Sequence, residues 1–180
     1  TDAACLMHFF NNTYKLNLSY DYIFYLGRLL SWDVPICYFQ KSIYINDKSN
    51  VCEEITPKEA LHFLLVKPSF GVNTKNAFEK LDCIDYKNAY PQPLLDAFQY
   101  SPQDVGKHLH NCFIETDQRL IHEYNRGTQL AKEFGFDGFS MSGTGSCFFA
   151  ITTDKTILAN GYDYFRDKYS FVAATSLKSL

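Results

Sequence analysis

No apolar run in the chain approaches the roughly 18 residues that a membrane-spanning helix needs, and no signal peptide is read at its start. A soluble, cytoplasmic chain without a membrane partner is expected. A basic excess is missing as well: 17 Lys and Arg stand against 20 Asp and Glu, a formal net charge of −3. Binding that works by neutralising many phosphates is therefore not expected, a local cationic patch aside, and nucleic acid is not among the expected partners. The six cysteines, at 5, 37, 52, 83, 112 and 147, include no C-x-x-C pair and read as reduced, mostly buried thiols. Of the five histidines, His108 and His110 would share a strand face but lie about 160° apart on a helix, and no ligand set forms around them, so no metal site is expected. Internal repeats and low-complexity segments are absent. What is present is a large aromatic content, 16 Phe and 13 Tyr, within a hydrophobic fraction of 46%, enough for a core that buries about 70% of the unfolded surface.

The pattern along the chain predicts an α+β organisation. Ala3, Ala4, Leu6, Met7, Phe9 and Phe10 suggest a helix entered at once, capped by Thr1 or Asp2, as if the chain started in the middle of something longer. Asn11-Asn12-Thr13 should break it, and Ser19 should cap a second helix bearing Ile23, Phe24, Leu26, Leu29 and Leu30. Pro35 disfavours helical geometry in Val34, so Ile36 to Phe39 and Ser42 to Ile45 read as strands, with Asp33 on the loop before them. Asp47 to Asn50 reads as a surface connection. Beyond it, strands are expected at 62–66, 138–141, 147–152 and 170–175, and helices at 74–81 (capped by Asn73 or Thr74), 93–99, 102–112, 116–134 (ending at Gly135) and 155–165.

The segment with most chemical content is Ser142-Gly143-Thr144-Gly145-Ser146, small residues between two apolar runs. Gly143 and Gly145 can adopt positive φ and let backbone N–H groups gather around an anion, and the hydroxyls can add bonds to it. The spacing is neither that of the mononucleotide P-loop, which needs a Lys after its last Gly, nor that of the dinucleotide fingerprint. Two readings stay open on these residues alone, a phosphate cradle and a tight hairpin turn.

Several segments in order resemble one superfamily. Thr1-Asp2-Ala3-Ala4 is similar to the end of the Gly-rich ATP loop of the GHMP kinases, Trp32-Asp33-Val34-Pro35 to their Ala-Asp-Val-Pro, and Met141 to Ala150 to their C-terminal Gly-rich loop. Val66-Lys67-Pro68-Ser69-Phe70-Gly71-Val72-Asn73-Thr74-Lys75-Asn76-Ala77-Phe78 resembles the substrate-side segment of the diphosphocytidyl-methylerythritol kinases within it. The resemblance implies a remnant of the GHMP N-terminal domain over residues 1–52, followed over 53–180 by a ferredoxin-like C-terminal domain with a four-stranded antiparallel sheet and helices mainly on one face. It also implies ATP-dependent phosphorylation of a hydroxyl on a cytidine diphosphate methylerythritol substrate in isoprenoid precursor synthesis, with ATP and Mg2+ as cofactors. Another GHMP small-molecule kinase, or a non-catalytic nucleotide-binding module, is the alternative.

The implied roles fall on particular residues. Asp33 would orient the attacking hydroxyl and accept its proton, which becomes acidic only late in a loose phosphoryl-transfer transition state. From position alone, a turn or helix-terminal Asp before Pro reads equally well. Thr1 and Asp2 would belong to the ATP loop at a helix N-terminus. Thr74 and Phe78 would meet the substrate, Phe78 by stacking on a base, although the buried face of a short helix is the other reading of Phe78. Ser142, Gly143, Thr144 and Gly145 would close over its phosphates.

Some features depart from the pattern. No residue here matches the family's N-terminal Lys or most of its ATP loop, so the 180 residues are expected to form an incomplete enzyme. Trp32 replaces a small residue, Asn111-Cys112-Phe113-Ile114-Glu115 stands for Asn-Asp-x-Glu, and the 47–54 connection lacks its usual glycines.

Overall fold

A computed structural model describes residues 2–46, 51–86 and 89–177, which form two compact units, one within 1–55 and one within 56–180. The expected surface connection at Asp47 to Asn50, and Thr1, lie outside the described residues.

The first unit contains three helices, α1 (Asp2–Thr13), α2 (Tyr20–Leu30) and α3 (Asp33–Phe39), and a two-stranded antiparallel ribbon of β1 (Ile43–Asn46) and β2 (Val51–Glu54). Ser19 caps α2 by accepting the Tyr22 N–H. Gly27 lets α2 meet α3 closely, since a Cβ there would lie 3.0 Å from the Pro35 ring. Three expectations change. Asn11 to Thr13 continue α1, because the Asn11 side chain donates to the Tyr38 hydroxyl at 3.1 Å and accepts the Leu18 N–H at 3.2 Å, so its polarity is satisfied from a helical position. Residues 36–39 are helical, not a strand: Pro35 sits in the first turn of α3, where its missing N–H breaks no intrahelical bond. Residues 51–54 are a strand and not part of a loose connection, as their backbone pairs with β1 from Ile43↔Glu54 to Asn46↔Val51.

The second unit is built on a four-stranded antiparallel sheet in the order β4 (Gly138–Met141), β5 (Phe148–Thr152), β3 (Leu61–Lys67), β6 (Phe171–Leu177). Its remaining elements are α4 (Thr74–Leu81), α5 (Gln92–Tyr100), α6 (Gln118–Phe134), α7 (Lys155–Phe165) and two short 3-10 helices, Pro102–His108 and Cys112–Thr116. The fold is α+β. Alternation along the strands separates two sets of side chains. On one face, Phe139, Ala150 and Leu64 lie in one row and Met141, Phe148 and Val66 in the next, and both rows pack with Leu120, Ala131 and Phe165 of α6 and α7. On the other face, Leu61 and Ile151 pack with Ala97 of α5 and Val105 of the first 3-10 helix. Helices thus cover chiefly one face, with a smaller cluster at one end of the other.

The expected helix over 102–112 is a tighter 3-10 helix that stops at His108, with Leu109 to Asn111 separating it from the second one, and backbone contact accompanies the first. Gly106 and Gly138 touch directly: a Cβ on Gly106 would fall 2.0 Å from the Asp137 carbonyl oxygen, and one on Gly138 would fall 2.4 Å from the Gly106 Cα. Caps fix the other helices. Asn73, Asp117 and Asp154 accept N–H groups at the starts of α4, α6 and α7, and Gly135, at φ +81°, ends α6. Glu123 of α6 is buried, yet it accepts the Tyr169 hydroxyl and lies 3.9 Å from Arg126. Burial, together with that carboxylate, pushes the Tyr169 phenol well up.

Candidate functional site

The loop 142–146 is the hairpin connection between β4 and β5, closed by Ser142 N–H to the Cys147 carbonyl at 2.8 Å and Gly145 N–H to the Ser142 carbonyl at 3.1 Å. Gly143 and Gly145 have φ of +56° and +87°, which side-chain-bearing residues rarely adopt. Gly145 is also constrained by space, since a Cβ would lie 2.6 Å from the Met141 sulfur. The hairpin reading holds, and the turn closes through two of its N–H groups while leaving those of Gly143 and Thr144 without an acceptor among the described residues.

Side chains hold this loop against the start of α4. The Thr144 hydroxyl lies 3.2 Å from that of Thr74, the first residue of α4. Ser146, buried, donates its hydroxyl to the Phe70 carbonyl. The Asn73 side chain accepts the Asn76 N–H at 3.0 Å, and the Thr74 and Lys75 N–H groups meet no acceptor among the described residues. Unengaged donors of the loop and of a helix N-terminus thus lie next to each other, an arrangement that favours an anion. Burial pushes the Cys147 thiol beside the loop up, against the opposing influence of Lys67, so it stays a protonated thiol at neutral pH and supplies no thiolate nucleophile.

Phe78 lies one helical turn after Thr74 and on the same side of α4. It is 52% exposed, which removes the buried-face reading, and its ring meets Phe113 edge-on at a centroid distance of 4.9 Å. An open aromatic face one turn from a helix start with unengaged N–H groups can stack on a planar base. The structure brings together Thr74, Phe78, Ser142, Gly143, Thr144 and Gly145. On the opposite side of α4 lies a cavity of about 220 Å³ lined by Asn76, Lys80, Asp117 and Arg119 among others. There the Arg119 guanidinium, bidentate on Asp117, holds the Asp117 carboxyl down at about 2.

Asp2 and Asp33 belong to the first unit. Asp33 is the first residue of α3, a correction of its expected loop position, and its N–H donates to the Ser31 hydroxyl at 3.2 Å. Its carboxylate is exposed and engages no described residue. Trp32 before it lies under the Arg28 guanidinium, 4.5 Å from the ring centroid. Asp2 is exposed in the first turn of α1. Among the described residues no group of three or more His, Cys, Asp or Glu is placed to hold a metal ion, and no helix is long and apolar enough to cross a membrane.

The sequence reading missed Asn111 as a contact of the loop. Its amide donates to the Met141 and Gly143 carbonyls and accepts the Phe113 N–H. The local signals were its place at the head of the segment that stands for Asn-Asp-x-Glu and an Asn opening a short turn; the partners thirty residues away carry no signature in the sequence.

Comparison with known proteins bears on the family likeness and the fold. Residues 102–170 match the family described as GHMP kinases C terminal, and the second unit has the fold of that domain. Over 157 residues the chain is 28% identical to a 4-diphosphocytidyl-2-C-methyl-D-erythritol kinase of Carboxydothermus hydrogenoformans, covering 84% of this chain and 54% of that protein. A crystal structure of 4-(cytidine 5'-diphospho)-2C-methyl-D-erythritol kinase superposes with a TM-score of 0.77 at 19% identity, covering 99% of this chain and 64% of that one. The L. major mevalonate kinase in complex with R-mevalonate superposes with a TM-score of 0.65 at 14% identity, with the same two coverages. The chain spans about half the length of the curated relatives it matches. It resembles the diphosphocytidyl-methylerythritol kinases of the GHMP superfamily, and its relatives are small-molecule kinases.

Proposed function

We propose that this chain contributes the substrate-side domain and the catalytic carboxylate of an ATP-dependent kinase that phosphorylates the 2-hydroxyl of 4-diphosphocytidyl-2-C-methyl-D-erythritol, on the non-mevalonate route to isoprenoid precursors. The observation that carries the reading is the 3.2 Å approach of Thr144 to Thr74, which sets the unengaged N–H groups of the loop beside those of the α4 start. A diphosphate offers oxygens to both sets of donors, and the exposed Phe78 ring offers a face for cytosine. Ser142 and Gly145 complete the loop, the first through an exposed hydroxyl and the second through its positive φ.

Asp33 takes the role of hydroxyl-orienting group and late proton acceptor, a task suited to an exposed, unengaged carboxylate. Asp2, in the first turn of α1, takes the ATP side, where the helix dipole favours phosphate, and Thr1 before it in the chain is assigned to the same role. Mg2+ would accompany ATP and neutralise charge on its phosphates. Because no residue of the chain matches the family's Lys or most of its ATP loop, the 180 residues alone are expected to turn over slowly.

The test joins residues 1–180 behind the N-terminal region of the Carboxydothermus relative and follows ADP release with the cytidine substrate. Turnover is expected, and Asp33→Asn should lower kcat at least about a hundredfold with substrate affinity nearly unchanged. Unchanged turnover in that variant would remove Asp33 from the mechanism. A chimaera inert on the cytidine substrate but active on mevalonate or homoserine would move the assignment to another kinase of the superfamily. Cytidine-ligand binding without ATP consumption would make the chain a nucleotide-binding module.

A further inference from the structure

One side chain holds two of the peptide planes at the 142–146 loop, those of Met141–Ser142 and Gly143–Thr144. The Asn111 Nδ2 group donates to the Met141 carbonyl at 2.7 Å and to the Gly143 carbonyl at 2.9 Å, while its Oδ1 accepts the Phe113 N–H at 2.9 Å. The opposite amide orientation would press an acceptor oxygen against two carbonyl oxygens, so the bonding pattern fixes which end is which. Both amide hydrogens and the oxygen are committed within the protein. Asn111 is therefore a fastener of backbone and not a ligand to a bound molecule.

The consequence follows from peptide geometry. The Gly143–Thr144 bond is trans, and a planar trans peptide directs its C=O and its N–H to opposite sides. Anchoring the Gly143 oxygen on Asn111 thus turns the Thr144 N–H away from the Cys112–Thr116 helix. That N–H has no acceptor among the described residues, and the Thr144 hydroxyl is the one that meets Thr74. Gly143, exposed and with open space where a Cβ would project, leaves room for a ligand to approach. Among the described residues no other donor meets the Gly143 oxygen, so without Asn111 this plane is held only by the turn closure and the Thr144–Thr74 contact, at a glycine of φ +56° that tolerates rotation easily.

We propose that Asn111 is a positioning residue that aims the Thr144 N–H at a phosphoryl group of a nucleoside diphosphate, beside a Gly143 N–H whose plane is held by the Gly145-to-Ser142 turn bond. The choice of ligand class rests on the function proposed above; the fastening does not.

The experiment uses the 180-residue chain and two variants, with 15N relaxation reporting on the loop and cytidine 5'-diphosphate as the probe. Asn111→Asp keeps the shape and the acceptor for Phe113 but sets a carboxylate oxygen against both carbonyls. Asn111→Ser keeps a short acceptor and cannot reach them, so it serves if the first variant folds poorly. In the parent chain the order parameters of Gly143 and Thr144 are expected near the rigid value of about 0.85; in both variants that of Thr144 should fall below about 0.6, with the Phe148 and Ala150 amides unmoved. Titration should shift the Gly143 and Thr144 amides of the parent, and the variants should bind at least about tenfold more weakly. Order parameters unchanged in both variants would overturn the fastening, and equal affinity despite a released loop would overturn the aiming role. If the variants release the loop but the parent chain fails to bind the probe, the functional reading itself falls and takes the ligand with it, an outcome distinct from the other two.

Discussion

Residues 56–180 bury Leu61, Leu64, Leu120, Ile151 and Phe148 completely or nearly so, whereas among the described residues of 1–55 the buried apolar side chains are Ala4, Ile23, Val34 and Pro35, and Leu6, Phe9, Phe10, Tyr14, Leu29 and Leu30 are exposed. Both units are rich in apolar residues. They differ in whether the chain provides the surface against which those residues can be buried. A four-stranded sheet with helices on one face closes a core by itself, while helices of 12, 11 and 7 residues are too short to persist on propensity alone. The second unit accordingly accounts for its own stability, and the apolar faces of α1 and α2 stand open.

The largest effect should come from separating the units. A fragment of residues 56–180 is expected to show one cooperative thermal transition, and a fragment of residues 1–55 none, with strong binding of an apolar-surface dye; a cooperative transition in the short fragment would break the contrast. Next comes a pair of truncations. Leu64→Ala, in the middle of the sheet, should cost about 2–5 kcal/mol, and Leu29→Ala, 66% exposed, within about 0.5 kcal/mol, both read from denaturant midpoints. A smaller cost of about 1–3 kcal/mol is expected for Gly127→Ala, whose new Cβ would lie 2.2 Å from the Phe139 ring and force α6 away from β4.

The smallest effect concerns charge. Asp117 has its carboxyl held at about 2 by Arg119, below the ordinary value, so the pair stabilises the folded state fully above about pH 5, and this is lost as the pH falls toward 2. Asp117→Asn keeps an acceptor for the Arg119 N–H and removes the charge. At neutral pH it should cost under about 1 kcal/mol, since Arg119 is largely exposed, and the difference from the parent chain should shrink in acid. A gap that stays constant from pH 7 to pH 2 would show that the cap, and not the ion pair, is responsible.

Local chemistry made much of the second unit legible. A cap at Asn73 or Thr74 and the helix expected at 155–165 matched α4 and α7, and short apolar runs marked β3, β4 and β5. What escaped depended on distant partners. Pro35 reads as a helix breaker until it is seen in a first turn, and residues 51–54 become a strand only because β1 offers its edge. The glycines of the 142–146 loop were visible in the sequence, as was the hydroxyl of Thr74. The amide of Asn111 that orients the loop was not, since its partners lie thirty residues further along. Phe78 shows the opposite limit: composition favours burying a helix phenylalanine, and only the structure shows its ring half exposed.

The direct contact of Gly106 with Gly138 bears on how this sequence can vary. Two main chains meet there without a side chain between them, and a methyl group on either would overlap the other backbone. Neither position can change alone without moving a strand at the edge of the sheet, so over generations the two should behave as a single inherited unit. A library randomised at both codons and selected for folding should return the glycine pair together, or a joint replacement accompanied by a shift of the 102–108 turn.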